Sequence, residues 1–188
     1  YKPTSSFDAQ IIKNLNSSKY LMLSSRKVYP RDNQWNAIED KIIDLTNIHD
    51  IYGKNKFLIE KHVQNVLEKE KYLILRLPNI FGRNSINTVS TTFFNQMLKS
   101  LKHNKIIYFD FCRESKRDFM YAEDLAVAIF SMIEKDVSGI YNCGYGKYIK
   151  CGDIANLLIN SIGFGKIEDE KNLKDEFFLN TLKLNSML

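Results

Sequence analysis

The chain has 188 residues, 44% hydrophobic and 26% charged, with a formal net charge of +5; this is enough for one domain with a real core and is ordinary for a globular protein. No apolar run approaches the roughly 20 residues that cross a bilayer, no signal peptide opens the chain, and the scattered lysines form no block of like charge, so a membrane span and a nucleic-acid surface are not expected, whereas a small anionic substrate would suit the charge. Cys112, Cys143 and Cys151 fit no disulfide framework and no metal spacing; a cytoplasmic protein without a metal site is expected, and the opening at Tyr1 rather than Met reads as part of a larger protein.

In chain order, "SSFDAQIIKNLNSS" (5–18) places Phe7, Ile11, Ile12 and Leu15 on one helical face. "KYLMLSS" (19–25) reads as a buried strand ending in small polar residues. The stretch from Arg26 to Asp50 reads as a loop with a helical turn, with Trp35 packing in it. Helical spacing returns over 52–70 through Phe57, Leu58, Val63, Val66 and Leu67, and "YLILRL" (72–77) is a second buried strand stopped by Pro78. Then follow a helix over 88–103, a strand over 105–109, a strongly apolar helix over 122–135, a strand over 139–144 and a helix over 151–163 ended by Gly163. The tail from 164 is polar and weakly patterned until "FFLNTLKLNSML". Helices alternating with buried strands predict an α/β fold with a largely parallel sheet. Ligands in such sheets sit beyond the C-terminal strand ends, which marks Ser24 and Ser25 after the first strand and Pro78 to Gly82 after the second.

Tyr52 and Lys56 stand one helical turn apart. A free tyrosine has a pKa near 10, and an ammonium one turn away would stabilise the phenolate and lower it. A serine at a strand end could hold the oxygen that gains or loses the proton, which is general acid–base chemistry on a carbonyl or alcohol.

"LMLSSRKVYP", "YGKNK", "LRLPNIFG" and "RDFMYAEDLAVAI" occur in this order. Together they resemble the extended short-chain dehydrogenase/reductase family, the NAD(P)-dependent nucleotide-sugar epimerases, dehydratases and reductases, and "GIYNCGYGKYIKCGDIANLL" resembles the family's next segment. The resemblance implies a doubly wound Rossmann-like parallel sheet, here partial, with a small C-terminal substrate-binding α/β subdomain. Residues 1–82 would be the remaining half of the dinucleotide-binding domain, and 83–188 mainly the nucleotide-sugar region, with 118–135 packing back on the sheet. The family's G-x-x-G-x-x-G turn, which holds the dinucleotide pyrophosphate, does not occur in these residues.

Carried over residue by residue, the resemblance implies Tyr52 as the catalytic acid/base, Lys56 as the residue that binds the nicotinamide ribose and lowers the tyrosine pKa, and Ser25 as the catalytic serine. Ser24 would line the cofactor side. Pro78 would meet the nicotinamide, Asn79 the substrate diphosphate, and Arg117 would grip that diphosphate. Tyr108 and Phe109 would border the base, with Thr91, Thr92 and Phe93 near that pocket. Asp118 and Asp124 look structural. Where the 4,6-dehydratases carry Asp-Glu after the catalytic threonine, this chain has Arg26 and Lys27, which disfavours a dehydratase. Pro30 and "LRLPN" lean toward a 4-keto-sugar reductase. The implied cofactor is NAD or NADP, the implied ligand a nucleotide-diphosphate sugar, and the implied assembly a homodimer through the helices near 5–18 and 52–70. The competing reading is a non-catalytic relative that binds a nucleotide sugar or a partner without redox chemistry.

Overall fold

A computed structural model describes residues 11–12, 19–82 and 92–187. The predicted helix over 5–18 falls mostly outside the described residues, as does Thr91.

Three parallel strands form the main sheet: β1 (Tyr20–Ser25), β3 (Tyr72–Leu77) and β8 (Gly139–Asn142), in the order β1-β3-β8. All six residues of β3 are buried, as a central parallel strand requires. Alternate β3 side chains supply two cores. Tyr72 and Ile74 meet Ile59 and Val63 of helix α1 (Ile51–Val66). Leu73, Leu75 and Leu77 meet Leu125, Ala128 and Met132 of helix α3 (Ala122–Glu134).

The first predicted strand is half-covered rather than buried. Tyr20 and Met22 face α1, but Leu21 and Leu23 are 36% and 43% exposed. Among the described residues β1 is an edge of the sheet. Ser25 is the Cα partner of Leu77, so Ser25 and the Pro78–Asn79 segment leave the sheet at the same end.

A third core lies between helix α2 (Phe93–Asn104), helix α4 (Cys151–Ile162) and the parallel pair β5 (Ile106–Phe109) and β10 (Lys166–Asp169). Short pairings tie it to the main sheet: β4 (Asn79–Phe81) with β7 (Phe119–Tyr121), and β6 (Lys116–Arg117) with β9 (Ile149–Lys150). Strand β2 (Trp35–Ala37) pairs with β11 (Phe178–Leu179), and a short helix α5 (Leu182–Asn185) closes the chain.

Three expectations need correction. The stretch from Arg26, read as a loop with a helical turn, contains three 3-10 turns and in addition β2, where Trp35 packs edge-on against Phe178 at 4.7 Å. The predicted 52–70 helix ends at Val66. The polar tail holds β10, an edge strand whose half-buried residues carry no apolar signal. By contrast, Gly163 does cap α4, in the left-handed conformation at φ 88°. All three cysteines are free; Cys143 and Cys151 are buried, and burial pushes both thiols up to about 12.

Candidate active site

Helix α1 carries Tyr52, Lys56 and Glu60 at four-residue steps, so the three share one face. The helix starts where Asp50 accepts from the Gly53 amide at 2.8 Å. Gly53 sets how near the helix can come to the turn after β1. A Cβ there would lie 2.2 Å from the backbone oxygen of Lys27 and 3.2 Å from the Ile48 side chain. Only a residue without a Cβ allows α1 to press Tyr52 against the 3-10 turn Arg26–Val28.

Glu60 anchors the other end of this face. Its carboxylate is fully buried and pairs with Arg76 of β3, with Nη2 to Oε2 at 2.7 Å and Nε to Oε1 at 3.2 Å. The Ser24 hydroxyl donates to the same carboxylate. Arg76 Nη1 donates to the Tyr29 hydroxyl at 2.9 Å, which donates to Asn142 Oδ1 at 2.8 Å. Burial opposes the Arg76 charge, but the Glu60 carboxylate overrides it and raises the guanidinium pKa. This network crosses β1, β3, β8 and α1, and it fixes α1 to the sheet. Ser24, expected on the cofactor side, is 4% exposed and its hydroxyl is engaged by Glu60.

Ser25 is half-buried and caps the turn, its Oγ accepting from the Lys27 amide at 3.2 Å. Tyr52 is 51% exposed. The Lys56 ammonium donates to the Leu23 carbonyl at 2.9 Å and stands 5.9 Å from the Tyr52 ring centroid. The phenol is raised above its ordinary pKa, first by burial and then by the Asp50 carboxylate. The expected lowering by Lys56 is therefore absent in this state: the ammonium is turned to a backbone carbonyl, and Asp50 stands nearer in effect. Lys27 supplies a second cation at the same ring, also 5.9 Å from its centroid, held by Asp50 at 2.9 Å.

Asn79, Arg117, Tyr108 and Phe109 line one cleft of about 620 Å³ together with Lys27, Arg26, Gln96 and Ser100. The structure thus brings the four expected substrate residues together, and Lys27 joins them to the Ser25–Tyr52 side. Pro78 is buried and lines neither principal cleft. The Asn79 side-chain Nδ2 is buried with no hydrogen-bond partner among the described residues. Tyr108 is mostly exposed, its hydroxyl donating to Glu170 at 2.9 Å, while Phe109 is buried and stacked on Phe93 at 5.9 Å.

Arg117 is buried and ion-paired with Asp175, and its guanidinium lies 3.7 Å above the Phe111 ring. Arg26 is likewise buried, 3.3 Å above the Phe177 ring, with Gln34 accepting from its Nη1. Sequence reasoning missed Asp175 and treated Arg26 only as a departure from a motif. Asp118 lies beneath the site, fully buried, and burial lifts its carboxyl to about 7. Its Oδ2 accepts from the Leu179 amide at 3.4 Å, and Asp124 accepts from the Tyr145 hydroxyl, so both act as anchors. Among the described residues no group of His, Cys, Asp and Glu could hold a metal, and no helix is long and apolar enough to cross a membrane.

A sequence profile described as the NAD dependent epimerase/dehydratase family matches residues 9–144. Solved structures share the fold. MoeE5 in complex with UDP-glucuronic acid and NAD superposes with a TM-score of 0.78 at 14% identity, over 96% of this chain and 61% of its own. UDP-N-acetylglucosamine 4-epimerase from Methanobrevibacter ruminantium M1, in complex with UDP-N-acetylmuramic acid, gives 0.74 at 20% identity over 98% and 62%. A dTDP-4-dehydrorhamnose reductase from Bacillus anthracis str. Ames, in complex with NADP, gives 0.69 at 20% identity over 90% and 60%. The chain therefore spans about three-fifths of the length of these structures.

Proposed function

The chain belongs to the NAD dependent epimerase/dehydratase family, and from that premise we propose that it is the substrate-binding and proton-handling part of an NAD(P)-dependent nucleotide-sugar oxidoreductase or epimerase, leaning to a 4-keto-sugar reductase. The observation that carries this is the junction at Lys27: one side chain lines the cleft of Asn79, Arg117, Tyr108 and Phe109, and it also reaches the Tyr52 ring beside Ser25.

The residues present fit the nicotinamide-ribose end of a dinucleotide: Tyr52 and Lys56 lie on the accessible face of α1. No G-x-x-G-x-x-G turn for the pyrophosphate is among the 188 residues. When bound, NAD or NADP supplies or accepts the hydride. Tyr52 gives the proton to, or takes it from, the sugar oxygen, and Ser25 orients that oxygen through its hydroxyl. Lys56 must leave the Leu23 carbonyl to stabilise the phenolate, which lowers the raised phenol pKa into a working range. Asn79 donates its unpaired amide and Arg117 its fork to the diphosphate. Arg26 and Lys27 offer no carboxylate acid/base pair, which weighs against dehydration. Two of the similar structures hold sugar acids, UDP-glucuronic acid and UDP-N-acetylmuramic acid, which supports a nucleotide-sugar ligand in this cleft.

The test is to incubate the protein as its gene encodes it with NADH or NADPH and a panel of keto and non-keto nucleotide sugars, following nicotinamide absorbance and products. Oxidation with a keto sugar supports the reductase, and interconversion without net oxidation supports the epimerase. Tight binding with neither supports the competing reading, nucleotide-sugar binding without redox chemistry.

A further inference from the structure

The cleft contains a buried cation with no ion-paired carboxylate among the described residues. Arg26 is 9% exposed and borders both principal clefts, of about 620 and 580 Å³. Its guanidinium rests on the Phe177 ring and donates to an uncharged partner, Gln34. Among the described residues no carboxylate forms an ion pair with it. The two acids that influence it are already committed: Asp175 pairs with Arg117, and Asp50 holds Lys27 and the Gly53 amide. Burying a guanidinium without an anion is costly, and here it lowers the Arg26 pKa to about 10 while leaving it charged at neutral pH. Arg117, the buried arginine of the same cleft, has its carboxylate; Arg26 does not.

We infer that the sugar taken by this site carries a negatively charged substituent, a carboxylate in the simplest case, received by Arg26 with Lys27 as the second cation. The inference rests on the nucleotide-sugar reading of the cleft. It follows from position as well as from charge. Arg26 and Lys27 leave the turn that follows Ser25 and line one cleft, and the Lys27 ammonium stands beside the Tyr52 ring, which ties the pair to the reacting end through Lys27. Arg117 and Asn79 remain for the diphosphate. A planar fork stacked on an aromatic ring is pre-organised for a carboxylate, which a flexible lysine is not. Lys27, 41% exposed at its side chain and tethered only to the exposed Asp50, can turn to a ligand at little cost.

The test is calorimetric binding to the protein as encoded, comparing UDP-glucuronate with UDP-glucose and GDP-mannuronate with GDP-mannose, with UDP and GDP as references. The expected result is a preference of roughly tenfold to a hundredfold for the sugar acid within the pair that binds, the size of a charge-assisted hydrogen bond. Arg26→Met should bring the acid down to the affinity of the neutral sugar and leave the nucleoside diphosphate unchanged. Equal affinity for acid and neutral sugar overturns this inference and leaves the nucleotide-sugar reading standing. No binding by any member overturns both. An Arg26→Met variant that weakens UDP or GDP as much as the sugar acid shows that Arg26 grips the diphosphate, and also overturns the inference. Should Arg26→Met fail to fold, Lys27→Met on the half-exposed side chain decides: a preference reduced by about threefold or more supports the two-cation site, and an unchanged preference overturns it.

Discussion

Gly53→Ala is a small change with a large expected consequence. The new Cβ would sit 2.2 Å from the Lys27 backbone oxygen, while contacts below 3.0 Å are essentially never tolerated, so the helix start and the turn must part by about 0.8 Å. The obstacle is backbone, and Ile48 closes the other side at 3.2 Å, so no side chain can swing away. Overpacking of this kind costs about 1–3 kcal/mol, and the better helix propensity of alanine returns about 1 kcal/mol. Net stability should therefore fall by no more than about 2 kcal/mol, and the protein should fold. Turnover should suffer much more, because Tyr52 moves relative to Ser25 by nearly 1 Å, a misplacement that can cost about a hundredfold. The assay is kcat of the variant beside its affinity for the nucleoside diphosphate, which Asn79 and Arg117 should hold unchanged. Turnover within about threefold of the parent, with an unaltered melting temperature, would refute the argument that this close approach registers Tyr52 on Ser25.

Glu60→Gln should destabilise the protein by about 3–5 kcal/mol, because it leaves Arg76 charged and buried at 3% exposure; urea unfolding reads the loss, and Glu60→Gln with Arg76→Met should recover much of it. A single-variant cost below about 1 kcal/mol would mean that the buried network does not hold α1. Asp118 gives a pH signature. Its folded carboxyl titrates at about 7 against 3.8 unfolded, so the folded state keeps a proton that the unfolded state releases. Its contribution is complete below about pH 4 and is lost as the pH rises to about 7. Asp118→Asn should accordingly gain on the parent across that window in urea unfolding, and parallel profiles would contradict the assignment. Asp50→Asn keeps a helix cap but removes an anion beside Tyr52, so the Tyr52 phenol should titrate lower by tyrosine carbon-13 NMR; an unmoved titration would exclude Asp50 as a cause.

Much of this was legible in the residues. "YLILRL" is buried throughout because β3 is covered by α1 on one face and α3 on the other, its one charge, Arg76, being paired with Glu60, and its bounds match those read from the sequence. Ser25, Tyr52 and Lys56 lie within 32 positions of one another, on a strand end and a helix start, elements that local patterning reveals. The four expected substrate residues were chosen through motif order, and the cleft they line only becomes visible in space. What was not legible depended on distant pairings. Asp175 neutralises Arg117 across 58 positions from a segment with no pattern of its own. Strands β2 and β10 are short and half-exposed, and only their partners make them strands. Arg26 looked like a missing acid, whereas the fold buries it as a cation on the Phe177 ring. Sequence spacing places Lys56 near Tyr52 but does not show that its ammonium is turned to the Leu23 carbonyl.

The proton-handling role of Tyr52 is the centre of this account, and Tyr52→Phe tests it most directly. The hydroxyl is half-exposed on α1 and carries none of the buried network, so its removal should leave folding and nucleotide-sugar affinity unchanged. Turnover of the protein as encoded, with its nicotinamide cofactor and the sugar it accepts, should fall by about a hundredfold to ten-thousandfold. Near-parental turnover in Tyr52→Phe would contradict the account.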